Sequence, residues 1–317
     1  MKHKTRYSFT LSSLHLSIPL ILLFMCLPGP VCYYSGYMVA YANQANYVYS
    51  GGTNRVSVTL IPEVSSFTKS GLITVGVHMK IKEGWHVYWR NPGDSGLPTR
   101  ITWGDHPNLK AGKIQWPGPQ RFDENGVTTY GYSDHVTLLV PVSVQHEEDN
   151  NEVKKSYEDF EADISWLVCK DICVMESASI SLEIDSNGHF TDYEEDALKY
   201  IREARNALPY QTDSWSATTR FNGEDFIITL SQESDDARLP EPKGVYFFPY
   251  EQGRIDHTAP QKVTGADRKM IISTKASKYL NTVPETMNGV IVAKESWIGN
   301  RLFCIMEIQS DVIEVVD

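Results

Sequence analysis

Apolar and polar residues alternate along much of the chain from residue 55 onward, and this period of two predicts β-strands. In residues 71–81 the apolar side chains share one face, whereas Thr74, His78 and Lys80 take the other. The alternation recurs at 136–144, 164–168 and 180–184, and turn-rich segments at 91–96 and 116–119 separate the strands. Many short alternating strands with Gly/Pro turns are typical of an antiparallel β-sandwich.

A single helix is predicted to interrupt the strands. Thr191 and Glu194 have the spacing of a capping box, Pro209 ends the segment, and an apolar stripe is formed by Ala197, Leu198, Ile201, Ala204 and Leu208. Strands resume at 215–221, 226–230, 245–248, 270–273, 290–293 and 302–308. The pattern therefore predicts an all-β chain of two antiparallel β-sandwich domains, 43–188 and 212–317, joined by a short helical linker at 189–211.

The first 42 residues have the composition of an export signal. Lys2, Lys4 and Arg6 precede a short apolar run at 16–27, and Ala40-Tyr41-Ala42 is a small-x-small cleavage sequence. We therefore predict a signal peptide at 1–42 that is cleaved after Ala42. The long segment after the apolar run leaves an uncleaved membrane anchor as the alternative.

Net charge narrows the class of partner. Loss of the three leader cations takes the formal charge from −11 to −14, because residues 1–42 contain no Asp or Glu. An acidic protein of this kind is a poor match for nucleic acid or an anionic membrane surface.

Five cysteines are present, and two of them, Cys26 and Cys32, fall in the predicted leader. Cys304 alternates with Leu302, Met306 and Ile308, which predicts a buried and inert thiol in the second core. The remaining pair, Cys169 and Cys173, ends a strand-like run and is the candidate for chemistry.

Three interpretations of this pair follow from its spacing. Residues four apart in an extended strand are about 13 Å apart, whereas a disulfide needs Cα atoms within about 7 Å; bonding therefore requires a tight turn. Such a bond could be redox-active, as short, loop-borne disulfides are easily reduced, or structural, although closing so short a loop stabilises by only about 2 kcal/mol. A zinc site would need four ligands, while copper(I) on two thiolates stays open.

Neighbouring charges do not decide which cysteine attacks. Lys170 favours a thiolate at Cys169, and Asp171 opposes it. The aromatic cluster of Trp85, Tyr88 and Trp89 is interpreted as core or sandwich-edge packing rather than as a platform for a ligand. The seven histidines beyond the leader are scattered without ligand spacing, and no phosphate-binding loop, dinucleotide fingerprint or Gly-x-Ser-x-Gly sequence occurs. We therefore expect neither a metal site nor a bound cofactor.

Three blocks resemble the exported N-terminal domain of the DsbD/ScsB thiol:disulfide interchange proteins. They are residues 84–98, Tyr130-Gly131-Tyr132, and 166–173; in addition, 247–249 and 254–261 are similar to the second domain of ScsB-type members. The resemblance implies immunoglobulin-like sandwiches and matches Cys169 and Cys173 to the redox pair of the family. It also implies a membrane-embedded electron-donor protein and oxidised periplasmic proteins as partners.

The sequence departs from the family at the loop that caps the redox pair. Residues 127–132 stand at the position of this cap, without the acidic-aromatic residues expected before Tyr130, and Met175 stands where proline is expected. Tyr130, Tyr132 and Trp166 are the positions predicted for a cap or partner contact. Full-length members continue into a membrane electron conduit and a thioredoxin-like domain, which we expect separate proteins to supply.

The leading prediction is a periplasmic thiol:disulfide interchange protein, a thiol–disulfide oxidoreductase of the protein-disulfide reductase type that needs no cofactor. It would carry reducing equivalents through the Cys169/Cys173 dithiol. The alternative is a non-catalytic binding or scaffold module with a structural disulfide, in cytochrome c maturation or metal tolerance.

Overall fold

The computed structural model describes residues 50–66, 71–144, 158–185, 188–191, 194–294, 296–297 and 304–315. The predicted signal peptide at 1–42 and its cleavage site lie outside these residues. Residues Ala45–Asp317 form one compact unit. Within the described ranges, no helix combines the length and apolar character needed to cross a bilayer.

The described chain is built almost entirely of strands, as the alternation predicts. The first eleven are β1 (Ser50–Gly52), β2 (Val56–Pro62), β3 (Gly71–Ile81), β4 (His86–Gly93), β5 (Arg100–Trp103), β6 (Leu109–Ala111), β7 (Gln120–Glu124), β8 (Val127–Ser133), β9 (His135–Val144), β10 (Glu158–Cys169) and β11 (Cys173–Ile184). After helix α1 (Leu198–Asn206) follow β12 (Trp215–Phe221), β13 (Asp225–Gln232), β14 (Tyr246–Pro249), β15 (Lys262–Ala266), β16 (Lys269–Lys275), β17 (Thr286–Val292) and β18 (Ile305–Glu314).

The first eleven strands make a two-layer sandwich. One sheet has the order β1-β2-β3-β9-β6, and the other has the order β11-β10-β4-β8-β7 with β5 added beside β10. The inward side chains of both sheets form one core, whose largest fully buried members include Trp89, Trp166, Phe160 and Leu138. Because side chains alternate across each strand, burial of these residues fixes which neighbours face outward.

Helix α1 covers the outer face of the first sheet. Ile201 and Ala204 of the predicted apolar stripe pack with Ile61 and Leu139 of that sheet. The predicted capping box is not formed: a short 3₁₀ turn (Glu195–Ala197) precedes the helix, and its N-cap Ala197 makes no side-chain cap bond. Thr191 instead donates its hydroxyl to the Glu183 carbonyl of β11 at 3.4 Å.

The last seven strands form a single sheet of order β14-β17-β18-β12-β13-β16-β15. Strand β18 pairs antiparallel with β17 through Ile305–Asp311, and parallel with β12 through its last residues, Val312 to Glu314. Buried side chains from both ends of the sheet meet in a second core, including Phe247 and Ile291 from one end and Phe226 and Met270 from the other. The sheet therefore folds over on itself and acts as a second sandwich.

Cys304 departs from its predicted environment. It immediately precedes β18 as a free thiol of intermediate exposure, and its Sγ lies 3.9 Å from the Lys294 carbonyl. The alternation with Met306 and Ile308 is present, but Cys304 lies just before the first residue of β18, where the second core does not bury it fully.

A buried histidine lies between β3 and α1. His78 Nδ1 is 2.9 Å from Thr137 Oγ1, and the Tyr200 ring stacks on the imidazole with centroids 4.0 Å apart. Burial, followed by the positive charges of His135, Lys80 and Lys199, lowers the pKa of His78 to about 4. The neutral imidazole is therefore part of the packing between helix and sheet.

This histidine makes stability sensitive to acid. The unfolded chain binds a proton at His78 near pH 6.5 and the folded chain only near pH 4, so acidification favours unfolding between these values. We expect the free energy of unfolding to fall by about 2 kcal/mol from pH 7.5 to pH 5 through this residue. Urea unfolding at both pH values checks it. His78→Gln should lose this part of the pH dependence, and an unchanged dependence in that variant would contradict the assignment.

Candidate redox-active site

The two cysteines close the tip of the β10–β11 hairpin. The strands stay in register from Glu158 opposite Ile184 to Cys169 opposite Cys173. At the tip the Lys170 N–H donates to the Ile172 carbonyl at 3.1 Å. The cysteine Cα atoms are 4.2 Å apart and their sulfurs are bonded at 2.07 Å. The tight turn that the sequence spacing requires is therefore present.

The two sulfurs have different environments. Cys169 is 2% exposed, whereas Cys173 is exposed at the surface. The apolar side chains of Ile172 and Met175 beside it are 62% and 57% exposed. A thiolate from another protein can therefore reach Cys173 past apolar neighbours, while Cys169 is shielded.

Tyr88 of β4 supplies the shield and a hydrogen bond. Its hydroxyl donates to Cys169 Sγ at 2.8 Å and lies 3.8 Å from Cys173 Sγ. Burial, with a smaller contribution from Glu124, raises the pKa of Tyr88, so the phenol stays protonated and remains a donor. The sequence interpretation of this tyrosine as core or sandwich-edge packing missed the contact. The signal was the alternation itself, since burial of Val87 and Trp89 turns His86 and Tyr88 to the opposite face.

His86 flanks the buried cysteine on the same face. It lies opposite Cys169 in the pairing of β4 with β10, and its ring stacks on Phe122 with centroids 4.6 Å apart. Burial lowers the pKa of His86, with Glu124 opposing, so the imidazole is neutral near pH 7. Gly131 of β8 pairs with Tyr88 of β4 on one side and with Gln120 of β7 on the other, and a Cβ there would come within 2.0 Å of the Val87 carbonyl.

A bulge in β4 brings a loop over Tyr88. Tyr88 pairs with Gly131, but the next pair is Gly93 with Thr129, so β4 carries extra residues between them. The chain then returns so that Gly96, with φ +115°, lies flat on the Tyr88 ring, where a Cβ would come within 2.2 Å of a ring carbon. The segment from Asn91 to Leu97 comprises the end of β4 and the turn after it, and it lies against the Tyr88 ring through Gly96. It is called the cover loop below.

Residues predicted for a cap or partner contact lie elsewhere. Tyr130, Tyr132 and Trp166 are 0%, 4% and 1% exposed. The region 127–132 is strand β8 in the middle of a sheet, so its aromatic side chains fill cores. The Tyr132 hydroxyl donates to the Pro117 carbonyl at 2.7 Å, and the Tyr130 hydroxyl lies 2.8 Å from His257 Nδ1 in the second sandwich. Their side chains are therefore not accessible at the surface of this structure, and the cap or partner contact stays a prediction.

The metal interpretation of the cysteine pair finds no further ligands. Among the residues that the structure describes, no group of three or more His, Cys, Asp or Glu side chains is placed to hold a metal ion.

Comparison with known proteins agrees with the site. Residues 57–184 match the family model described as "Thiol:disulfide interchange protein DsbD, N-terminal". No curated protein matches the chain. A solved structure, the N-terminal periplasmic domain of ScsB from Proteus mirabilis, matches with a TM-score of 0.56 and 16% identity, over 83% of this chain and 95% of that one. At this identity the likeness shows a shared fold.

The family match covers β3 to β11, nearly all of β2 and both cysteines of the first sandwich, which is less than half of the chain. This part of the chain is similar to the N-terminal domain of thiol:disulfide interchange proteins. More narrowly, residues 57–184 form a domain of the DsbD N-terminal family, with the immunoglobulin-like sandwich of that family.

The cover loop gives a test of local packing. Gly96→Ala should lower the free energy of unfolding by about 2 kcal/mol more than Gly126→Ala, because both place a Cβ at positive φ but only Gly96 contacts a ring. Reduction of the disulfide by dithiothreitol should also slow in Gly96→Ala, because a lifted loop releases the Tyr88 hydroxyl from Cys169 Sγ. Urea unfolding and reduction rates check this; equal effects of the two variants would show that the loop does not cover Tyr88.

Proposed function

We propose that this protein is a periplasmic thiol:disulfide interchange protein. Its Cys169–Cys173 pair takes reducing equivalents from a membrane-embedded donor and passes them to oxidised periplasmic proteins. The observation that carries the proposal is the asymmetric disulfide: one sulfur is exposed at a hairpin tip, and the other is buried on a tyrosine hydroxyl. The family match supports interchange chemistry, and the leader sequence supports export.

Exposure assigns the roles of the two cysteines when the pair is reduced. A donor thiolate attacks Cys173 Sγ, because only that sulfur is accessible, and a mixed disulfide forms while Cys169 leaves as a thiolate. The second donor thiolate then attacks the donor sulfur of the mixed disulfide and releases Cys173. The pair has gained two electrons, and two protons from solvent complete the dithiol.

Substrate reduction runs through the same sulfurs in reverse. The Cys173 thiolate attacks a disulfide of the oxidised protein, and the first substrate sulfur leaves as a thiolate. Cys169 then attacks Cys173 Sγ, which expels the second substrate sulfur and restores the disulfide. The substrate has gained the two electrons, so neither a metal nor a cofactor takes part in the balance.

Tyr88 stabilises the charge that develops on the buried sulfur. Its hydroxyl already points at Cys169 Sγ, and a thiolate is a stronger acceptor than a disulfide sulfur. The hydrogen bond therefore strengthens as Cys169 leaves, which lowers the barrier to opening the disulfide. Because burial keeps Tyr88 protonated, this donor is present across neutral pH.

The first test is the reduction potential of the pair. We expect a value in the range of exchange proteins, roughly −180 to −270 mV, because one sulfur is accessible and the leaving thiolate is stabilised. Equilibration in glutathione and dithiothreitol buffers, on protein with Cys304→Ser to remove the half-exposed thiol, gives it. A value below about −300 mV would favour the structural disulfide of a binding or scaffold module.

Single-cysteine variants test the assigned roles. In a Cys304→Ser background, Cys169→Ser leaves the exposed thiol and should form a mixed disulfide with an aromatic disulfide reagent. Cys173→Ser leaves only the buried thiol, and its reaction should be at least about tenfold slower, because access limits thiol reactivity. Stopped-flow absorbance measures both rates. Faster reaction of the Cys173→Ser protein would reverse the roles.

A further inference from the structure

The bulge in β4 projects toward the second sandwich and contacts it. Trp89 packs against Phe248 and Tyr250 with ring centroids 6.2 and 5.8 Å away, and the Arg90 guanidinium lies 4.1 Å from the centroid of the Tyr250 ring. Phe248 joins the core of the first sandwich through this contact. The strand that carries Tyr88 to the disulfide is therefore also the strand that the second sandwich holds.

Asn91 is the polar centre of this contact. It is 0% exposed, and its Nδ2 donates to the Pro249 carbonyl at 2.8 Å and to the Glu251 carbonyl at 3.2 Å. Its Oδ1 accepts from the Gly93 N–H at 3.0 Å. One buried amide thus joins the backbone of the second sandwich to the start of the cover loop, and unpairing these groups is costly in a buried site.

The cover loop continues this connection to the redox pair. The Asp94 N–H donates to the Thr128 carbonyl, and the Thr128 N–H donates to Asp94 Oδ2, both at 2.9 Å. Two residues later Gly96 lies against the Tyr88 ring, and the Tyr88 hydroxyl donates to Cys169 Sγ. A continuous set of contacts therefore runs from Pro249 and Glu251 to the buried sulfur.

We propose that the second sandwich is a positioning element for the redox site: through Asn91 it seats the cover loop on Tyr88 and thereby keeps the Tyr88 hydroxyl on Cys169. Asn91 is a positioning residue, since it touches neither sulfur. The inference extends the proposed function by giving the second sandwich a part in the chemistry of the first. It predicts that a substitution at a residue that touches neither sulfur changes the equilibrium constant for reduction of the disulfide.

The experiment compares the equilibrium constant for reduction by dithiothreitol in intact protein with Cys304→Ser. Tyr88→Phe should lower this constant about tenfold, because the reduced sulfur loses a hydrogen bond that a thiolate accepts strongly. Asn91→Ala should lower it about three- to tenfold through the displaced Tyr88. The double variant should equal Tyr88→Phe alone, since both act through one hydrogen bond.

Two further variants separate positioning from general destabilisation. Thr219→Val removes the buried hydroxyl that lies 2.6 Å from Ser310 Oγ within the second sheet, and it should destabilise the protein without changing the reduction equilibrium. Arg90→Ala, at an exposed position, should fold even where Asn91→Ala does not, and should give a smaller decrease in the same direction.

These outcomes decide whether the second sandwich acts on the redox pair through Asn91 and Tyr88. A decrease in Asn91→Ala or Arg90→Ala that disappears in the Tyr88→Phe background supports this coupling. An unchanged constant in the folded variants, or an additive effect with Tyr88→Phe, overturns it. Failure of the proposed function is a separate result: the wild-type pair would then have the very low potential of a structural bond, while the comparison between variants would still report whether the second sandwich acts on it.

Discussion

The arrangement around the disulfide depends on the burial of Val87 and Trp89 in the core of the first sandwich. Both are fully buried, and their packing fixes the rotation of β4 about its own axis. His86 and Tyr88 are then held on the opposite face, beside Cys169. Core packing and redox geometry are therefore one constraint. A shift of one residue in this strand would turn the tyrosine into the core and the tryptophan toward the face that carries Cys169.

Much of the architecture could be predicted from alternation alone. The strands at 71–81, 136–144, 164–168 and 215–221 were found because apolar side chains recur at alternate positions along each of them. Strand β15 was missed because nearly all of its side chains are exposed, so no buried face marks it in the sequence. The helix was found from its apolar stripe, but its first turn was misplaced since Thr191 bonds to β11 instead.

The site was only partly predictable, for a different physical reason. The cysteine pair was evident from local spacing, and the need for a tight turn followed from strand geometry. The contact between Tyr88 and Cys169 joins residues 81 positions apart, and the contact of Asn91 with Pro249 joins residues 158 apart. Such pairs depend on sheet order and on a bulge, which local patterns do not encode. The same limit explains why the local pattern did not show that Tyr130 and Tyr132 lie in the core of the first sandwich.

The long ladder behind the cysteines has a kinetic consequence. Twelve residue pairs from Glu158–Ile184 to Cys169–Cys173 keep the hairpin closed independently of the sulfur–sulfur bond. When that bond opens, the two thiols remain neighbours, and their effective concentration toward each other far exceeds that of any thiol in solution. When another protein forms a mixed disulfide with Cys173, the Cys169 thiol is therefore already in position to attack that bond. The hairpin itself then governs the lifetime of the mixed disulfide.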